Sequence, residues 1–349
     1  MEVGIWIPVY GGWLRIKNHR YPPSFTICNE IANRAEAYNY DYAYVSENYL
    51  NVVYGQSHEV ADAWAYSAAL AAKTSTINIV VATKPGFHPP LSIAKMAQGI
   101  NHISNKRFSV NVVCGWWKQE FTQCGIEYLD HKGRYQRATE FTQCLKQLWT
   151  GTNTSFDGKY YSLQNALIAM DEPSEGQIPI WVSGQSTNAQ ELVAKFGDVF
   201  FIDSMPDKDL KEKILQLRKL ERKYGRKVKV AMSVFVILDE TDEKAEIKYK
   251  NILLNRQQSS IENFRKIMAE SGATMWKELS DEQMVDSNCG FDASLIGSKS
   301  TIIRRLLKLK ECGVDILLCQ FEDMLEDTVF FGKTILPQLG STQTINKIM

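Results

Sequence analysis

An asparagine interrupts the apolar run Val110-Asn111-Val112-Val113, and Cys114, Gly115, Trp116, Trp117, Lys118, Gln119 and Glu120 follow it. A buried amide needs hydrogen-bond partners, so Asn111 either bonds neighbouring backbone or faces a ligand. Trp116 and Trp117 either pack as core or wall a pocket for an aromatic ring. A second cluster, Gly184-Gln185-Ser186, stands just before a helical pattern. A glycine and a hydroxyl residue at a helix N-terminus offer free amide N–H groups and a favourable dipole, both suited to a phosphate. The competing reading is that Ser186 or Thr187 only caps the helix.

Other chemistries find less support. His19, His58, His88, His102 and His131 are scattered, with no HxH or HExxH spacing, so a metal site is not expected. No GxSxG elbow occurs, which argues against an α/β-hydrolase. Glu47, Glu120, Asp203 and Glu322 could furnish a glycosidase pair, but acidic strand ends are common in barrels and the pattern is generic. The seven cysteines are odd in number and lack CxxC spacing. Neither a disulfide framework nor a zinc site follows, and reduced thiols in a cytoplasmic protein are expected.

These residues must be carried by regular elements. Strands are expected at Gly4–Pro8, Tyr42–Ser46, Ile77–Ala82, Phe108–Cys114, Ile178–Ser183, Asp198–Ile202, Val228–Leu238 and Ile316–Phe321. Helical patterns alternate with them at Ser24–Ala37, Ala61–Ala72, Pro89–Ile103, Gly133–Thr150, Thr187–Phe196, Lys208–Tyr224, Asp242 to about Glu270, and Ser298–Cys312. Repeated βα units imply parallel strands, and eight of them imply a closed (β/α)8 TIM barrel. The alternative is a doubly wound sheet, but Gly11-Gly12-Trp13-Leu14 after the first strand is not a GxGxxG fingerprint. One domain over 1–349 is expected, with inserts at about 151–177 and 271–295. The first would hold a hairpin near Thr154–Tyr161, the second a lid, and Gly340–Met349 a frayed tail.

In such a barrel the site lies at the C-terminal ends of the strands. Strand order then collects Tyr10 to Trp13, Glu47 to Tyr49, Thr83, Lys84, His88, Asn111 to Glu120, Ser183 to Ser186, Asp203, Asp239 and Glu322 as candidates. The 40 basic and 40 acidic residues balance, so no nucleic-acid partner is expected. The N-terminus runs directly into Val3-Gly-Ile-Trp-Ile-Pro8 without a basic leader, and no membrane span is expected.

The run Asn111 to Phe121, then Cys124-Gly-Ile126, His131-Lys-Gly-Arg-Tyr135 and Phe141, resembles the bacterial-luciferase-like flavin-dependent monooxygenases. More narrowly, it resembles the branch of alkanesulfonate and dimethylsulfone monooxygenases and the pyrimidine-ring-opening oxygenase. Gly12-Trp13-Leu14, Trp181-Val-Ser-Gly-Gln-Ser186, Asp239-Glu-Thr-Asp242 and Leu295-Ile-Gly-Ser298 extend the likeness along nearly the whole chain.

The resemblance implies a two-component enzyme that uses reduced FMN (FMNH2) and O2 to oxygenate a small sulfonate, sulfone or pyrimidine/amide substrate. An NAD(P)H-dependent flavin reductase would supply the flavin, and a homodimer or homotetramer is implied. Flavin contacts carry over to Asn48, Tyr49, Thr83, Asn111, Glu120, Arg134, Tyr135, Gly184, Gln185 and Ser186, with Ser186 at the phosphate. Thr83 and Asn111 would hold dioxygen near the flavin, and His58 would be an acid/base or substrate contact, with His88 and Trp117 as weaker candidates. The alternatives are a flavin-binding barrel protein without turnover and a deazaflavin-dependent oxidoreductase.

Overall fold

A computed structural model describes residues 1–17, 21–169, 178–271 and 279–339. His19, the end of the first insert, the start of the second and the expected frayed tail lie outside the described residues.

Eight parallel strands follow one another around a closed barrel: β1 (Glu2–Trp6), β2 (Tyr42–Val45), β3 (Asn78–Thr83), β4 (Phe108–Val113), β5 (Ile180–Ser183), β6 (Val199–Ile202), β7 (Lys229–Leu238) and β8 (Ile316–Gln320). Each pairs with its successor, and β8 closes on β1 from Glu2↔Ile316 to Ile5↔Cys319. The strands are rich in β-branched residues because both faces are covered, one by the barrel interior and one by helices. Ile79, Val80 and Val81 of β3 are fully buried.

The register decides which residues look inward. In a parallel ladder, paired residues point to the same face. Trp6 pairs with Tyr44, Ala82 with Asn111, Asn111 with Trp181, and Ser183 with Phe201. These share the inner face. Thr83, Val112, Val182 and Phe200 share the outer one.

Between strands, the helices start where the sequence provides caps. Asp62 accepts the amide of Ala65, Asp130 that of Gly133, and Ser186 that of Ala189. The helix Asp207–Tyr224 ends at Gly225 in the left-handed conformation, φ 65°.

The structure departs from the sequence-based expectation in several places. The expected long helix from Asp242 is two, Asp242–Leu254 and Gln258–Ser271. The chain breaks between them because the loop after β1 pairs with it: Lys17 N donates to Asn255 O and Gln257 N to Arg15 O. Tertiary backbone pairing overrides a continuous helical pattern there. A short helix Lys118–Gln123, a strand Leu295–Gly297 beside β7, and a helix Glu326–Thr334 were not expected. The hairpin in the first insert pairs Thr154–Asp157 with Ser162–Ala166. Within the second insert, Met284, Val285 and Phe291 are buried.

Candidate active site

The C-terminal ends of the strands surround a cavity of about 880 Å³. Its floor is aromatic. Trp6, Tyr44 and Phe201 meet with ring centroids 4.6 Å (Trp6–Tyr44), 5.0 Å (Tyr44–Phe201) and 5.7 Å (Trp6–Phe201) apart. Asn111 lies directly behind this floor, fully buried. Its Nδ2 donates to the Tyr44 hydroxyl and to Ser183 Oγ, both at 2.7 Å, while Ser183 Oγ donates back to Asn111 Oδ1 at 3.0 Å. Tyr44 and Ser183 line the cavity, so Asn111 sets the orientation of two hydroxyls that face it.

At one end, Gly184, Gln185 and Ser186 meet Arg134, Tyr135 and Lys213. Gly184 has φ +141°, and a Cβ there would stand 2.6 Å from the Tyr135 hydroxyl. Only glycine leaves this approach open. Ser186 does cap its helix, through Ala189 N at 3.2 Å, and its hydroxyl also meets the Tyr135 hydroxyl on the cavity wall. Lys213 Nζ donates to Gln185 O at 2.6 Å. Arg134 lies over the Tyr128 ring at 4.5 Å and donates to Leu129 O at 2.7 Å. Its buried Nε has no hydrogen-bond partner among the described residues. Burial and the neighbouring Arg134 charge hold the His131 imidazole below its ordinary pKa, so it is neutral near pH 7. A helix N-terminus, a glycine cradle, an orphaned guanidinium N–H and an ammonium group together fit a phosphoryl group. FMN has one, so the residues present fit FMN by its phosphate end.

On another wall stands a buried ionic network. Lys84 Nζ donates to both Glu120 Oε2 and Asn48 Oδ1, and Asn48 Nδ2 donates to the Tyr10 hydroxyl. Glu120 Oε1 accepts the Tyr49 amide at 2.9 Å and the Leu50 amide at 3.4 Å. Glu47 accepts Lys84 N at 2.7 Å and Trp64 Nε1 at 3.1 Å, with His88 Nε2 3.0 Å away. The side chains of Lys84 and Glu120 are 3% and 1% exposed, and such a pair tolerates no removal of one partner.

Of the residues expected at the site, Asn48, Arg134, Tyr135, Gly184, Gln185 and Ser186 line the cavity, and Asn111 supports it from behind. Thr83 is not brought to it. It pairs with Val112 on the outer face, its hydroxyl is buried without a partner among the described residues, and Ala82 takes the inner position beside Asn111. Glu120 is committed to Lys84 and two backbone amides instead of the cavity. Tyr49 stacks on Phe87 at 5.0 Å, and neither it nor the exposed His58, whose ring lies 6.1 Å from that of Tyr54, lines the cavity. Trp117 packs in the core, while Trp116 lines the cavity and lies edge-on to Phe264.

Sequence reasoning missed Tyr44, Trp6, Lys213 and the role of Lys84. The alternation Tyr42, Tyr44 was a visible signal of an inward aromatic face, but its phase depends on register. Behind the lining residue Phe264 stands Arg15, fully buried, which donates to the carbonyls of Met284 at 2.9 Å and Asp286 at 3.0 Å and packs on Phe264 at 3.8 Å.

Comparison with known proteins agrees with this geometry. Residues 1–315 match the profile of the luciferase-like monooxygenase family. The chain is 28% identical over 345 residues to an FMNH2-dependent dimethylsulfone monooxygenase of Pseudomonas putida, covering 97% of this chain and 94% of that one. It is 29% identical over 363 residues to a pyrimidine monooxygenase of Variovorax paradoxus, covering 98% and 95%. Among solved structures, a riboflavin lyase crystallised with modified FMN and riboflavin superimposes with a TM-score of 0.81 at 18% identity, covering 97% of this chain and 91% of that one.

Proposed function

This chain belongs to the luciferase-like monooxygenase family, and from that premise we propose that it is the oxygenase component of a two-component FMNH2-dependent monooxygenase. Its substrate is a small organosulfur or nitrogen compound, and an NAD(P)H-dependent flavin reductase supplies the reduced flavin. The names of the relatives, an FMNH2-dependent dimethylsulfone monooxygenase and a pyrimidine monooxygenase, support the reading. The observation that carries it is the cavity itself, with a phosphate cradle at Gly184–Ser186 and an aromatic floor backed by Asn111.

Reduced FMN supplies the reaction with O2, which no side chain can perform. The residues of this chain bind, orient and enclose. Ser186, Arg134, Tyr135 and Lys213 hold the phosphate end, and Gly184 and Gln185 let it approach. Asn48 and Asn111 are the amides directed at the ring end, Asn111 through the Tyr44 and Ser183 hydroxyls it positions. A hydroxyl donor fixed in place stabilises developing negative charge on oxygen without reorganising. Trp116, Tyr128 and the loop clamped by Arg15 exclude water, which protects reactive oxygen species from wasteful breakdown.

Anaerobic titration with reduced FMN tests the binding half of this reading. Saturable binding of reduced FMN, tighter than that of the deazaflavin cofactor, is expected. Preference for the deazaflavin cofactor would overturn it in favour of a deazaflavin-dependent oxidoreductase.

A further inference from the structure

β6 ends in an acidic side chain that the phosphate cradle does not account for. Phe201 is inward by its register with Ser183, and Asp203, two residues on, takes the same side and lines the cavity. One carboxyl oxygen accepts Gln185 Nε2 at 3.3 Å. No cationic side chain among the described residues forms an ion pair with it. The contrast with other acids is sharp: Glu120 is matched by Lys84, Glu47 by His88, and Asp207 by Arg305 and Lys308. A half-buried carboxyl on a cavity wall, without a counter-charge among the described residues, marks a functional candidate.

We propose that Asp203 is a substrate-binding carboxylate and that it selects a small nitrogen compound presenting an N–H donor. The proposal rests on the monooxygenase reading of the cavity and narrows its substrate class. Beside Asp203 lies the aromatic wall of Trp6, Tyr44 and Phe201, whose rings are tilted 53–64° to one another and offer both ring faces and edges to a small unsaturated skeleton. The cationic groups that line the cavity have other partners: Lys84 has Glu120, Arg134 the Leu129 carbonyl and Lys213 the Gln185 carbonyl. A sulfonate would find no counter-charge at Asp203. A sulfone offers only acceptors, and two acceptors repel. An N–H donor, neutral or cationic, meets its complement.

Titration gives the idea a sign. Burial raises the Asp203 carboxyl to about 7, the Gln185 hydrogen bond opposes this, and the neighbouring Asp286 adds to it. The other titratable groups that interact with Asp203 are Tyr44 and Cys289, both held neutral by burial. Burial also raises the Asp286 carboxyl, to about 6, against the hydrogen bonds it accepts from the amides of Gly290, Asn288 and Phe291. An N–H donor binds the ionised carboxyl more strongly than the protonated one, so its affinity rises with pH. An acceptor such as a sulfone needs the protonated carboxyl, so its affinity would rise as pH falls.

The test is calorimetric titration of the FMN-loaded protein with uracil, benzamidine, dimethylsulfone and methanesulfonate on either side of neutrality. Uracil or benzamidine should bind, roughly tenfold tighter at about pH 8 than at about pH 6, because the competent fraction scales the apparent affinity. Asp203→Asn should flatten that slope while FMN still binds. Failure of both nitrogen probes to bind FMN-loaded protein, or sulfone binding that strengthens towards low pH, overturns the proposal. So does a slope that survives in Asp203→Asn. The wild-type slope decides the matter even where the variant does not fold. Loss of FMN binding by the wild type would instead overturn the reading beneath it.

Discussion

The Asn111 amide and the Tyr44 hydroxyl are joined by a 2.7 Å hydrogen bond across the barrel interior, and through it a fully buried residue governs a group on the cavity wall. Asn111→Ala removes the donor to both Tyr44 and Ser183. Folding stability should fall by about 1–3 kcal/mol, the cost of stranding buried polar partners. Turnover should fall roughly tenfold to hundredfold, because two oriented hydroxyls lose their direction. Thermal melts and steady-state assays of the same preparation measure the two effects. Unchanged turnover would remove Asn111 from the site.

Gly184 is the second test. Gly184→Ala places a methyl group 2.6 Å from the Tyr135 hydroxyl at a φ of +141°, a conformation that an alanine adopts only under strain. FMN affinity should weaken about tenfold or more, equivalent to ~1.4 kcal/mol. Flavin fluorescence titration reads this directly, and unaltered affinity would place the phosphate elsewhere.

The Lys84–Glu120 pair predicts a structural rather than a kinetic phenotype. Glu120→Gln leaves the Lys84 ammonium buried without its counter-charge and weakens the acceptor for the Tyr49 and Leu50 amides. The expected loss is about 3–5 kcal/mol of stability. Denaturant melts of wild type and variant measure it. A loss below about 1 kcal/mol would mean that the pair is hydrated in solution.

His88 and Glu47 supply a pH dependence. The hydrogen bond to Glu47 raises the His88 imidazole above its ordinary 6.5, and burial only partly opposes it. A folded pKa above the unfolded one stabilises the fold fully below about 6.5 and loses that contribution as pH rises through the folded value. The difference in Tm between wild type and His88→Gln should therefore be larger at about pH 6 than at about pH 8. A difference that grows with pH would reverse the assignment.

Much of the barrel was legible because its strands are short, apolar and separated by helical patterns. All eight strands fall where runs such as Ile77–Ala82 place them, within a few residues. The capped turn at Gly184–Ser186 was legible for a local reason, a glycine and a capping serine at one helix start. What the sequence hid is register. Thr83 and Ala82 are neighbours, and only the pairing Ala82↔Asn111 tells which of them looks inward. A slip of one residue exchanges the two faces, and no local pattern in a strand buried on both sides marks the difference. The Glu120 ion pair was hidden for a related reason. Its partner Lys84 lies on a different strand end, and nothing in the spacing announces their ion pair. Asp203 was visible only as an acidic strand end, one of several, until the cavity singled out the one without a cation.

In the proposed function, this cavity uses reduced FMN to put an oxygen atom from O2 into a small substrate. Purified protein supplied with FMN, NADH and a flavin reductase under 18O2 tests it most directly, with product mass read across nitrogen donors, sulfones and sulfonates. Substrate-dependent consumption of O2 and one 18O atom in the product, with nitrogen donors preferred, is the expected result. Flavin oxidation that ends in hydrogen peroxide, with no labelled product from any of the three classes, would contradict it.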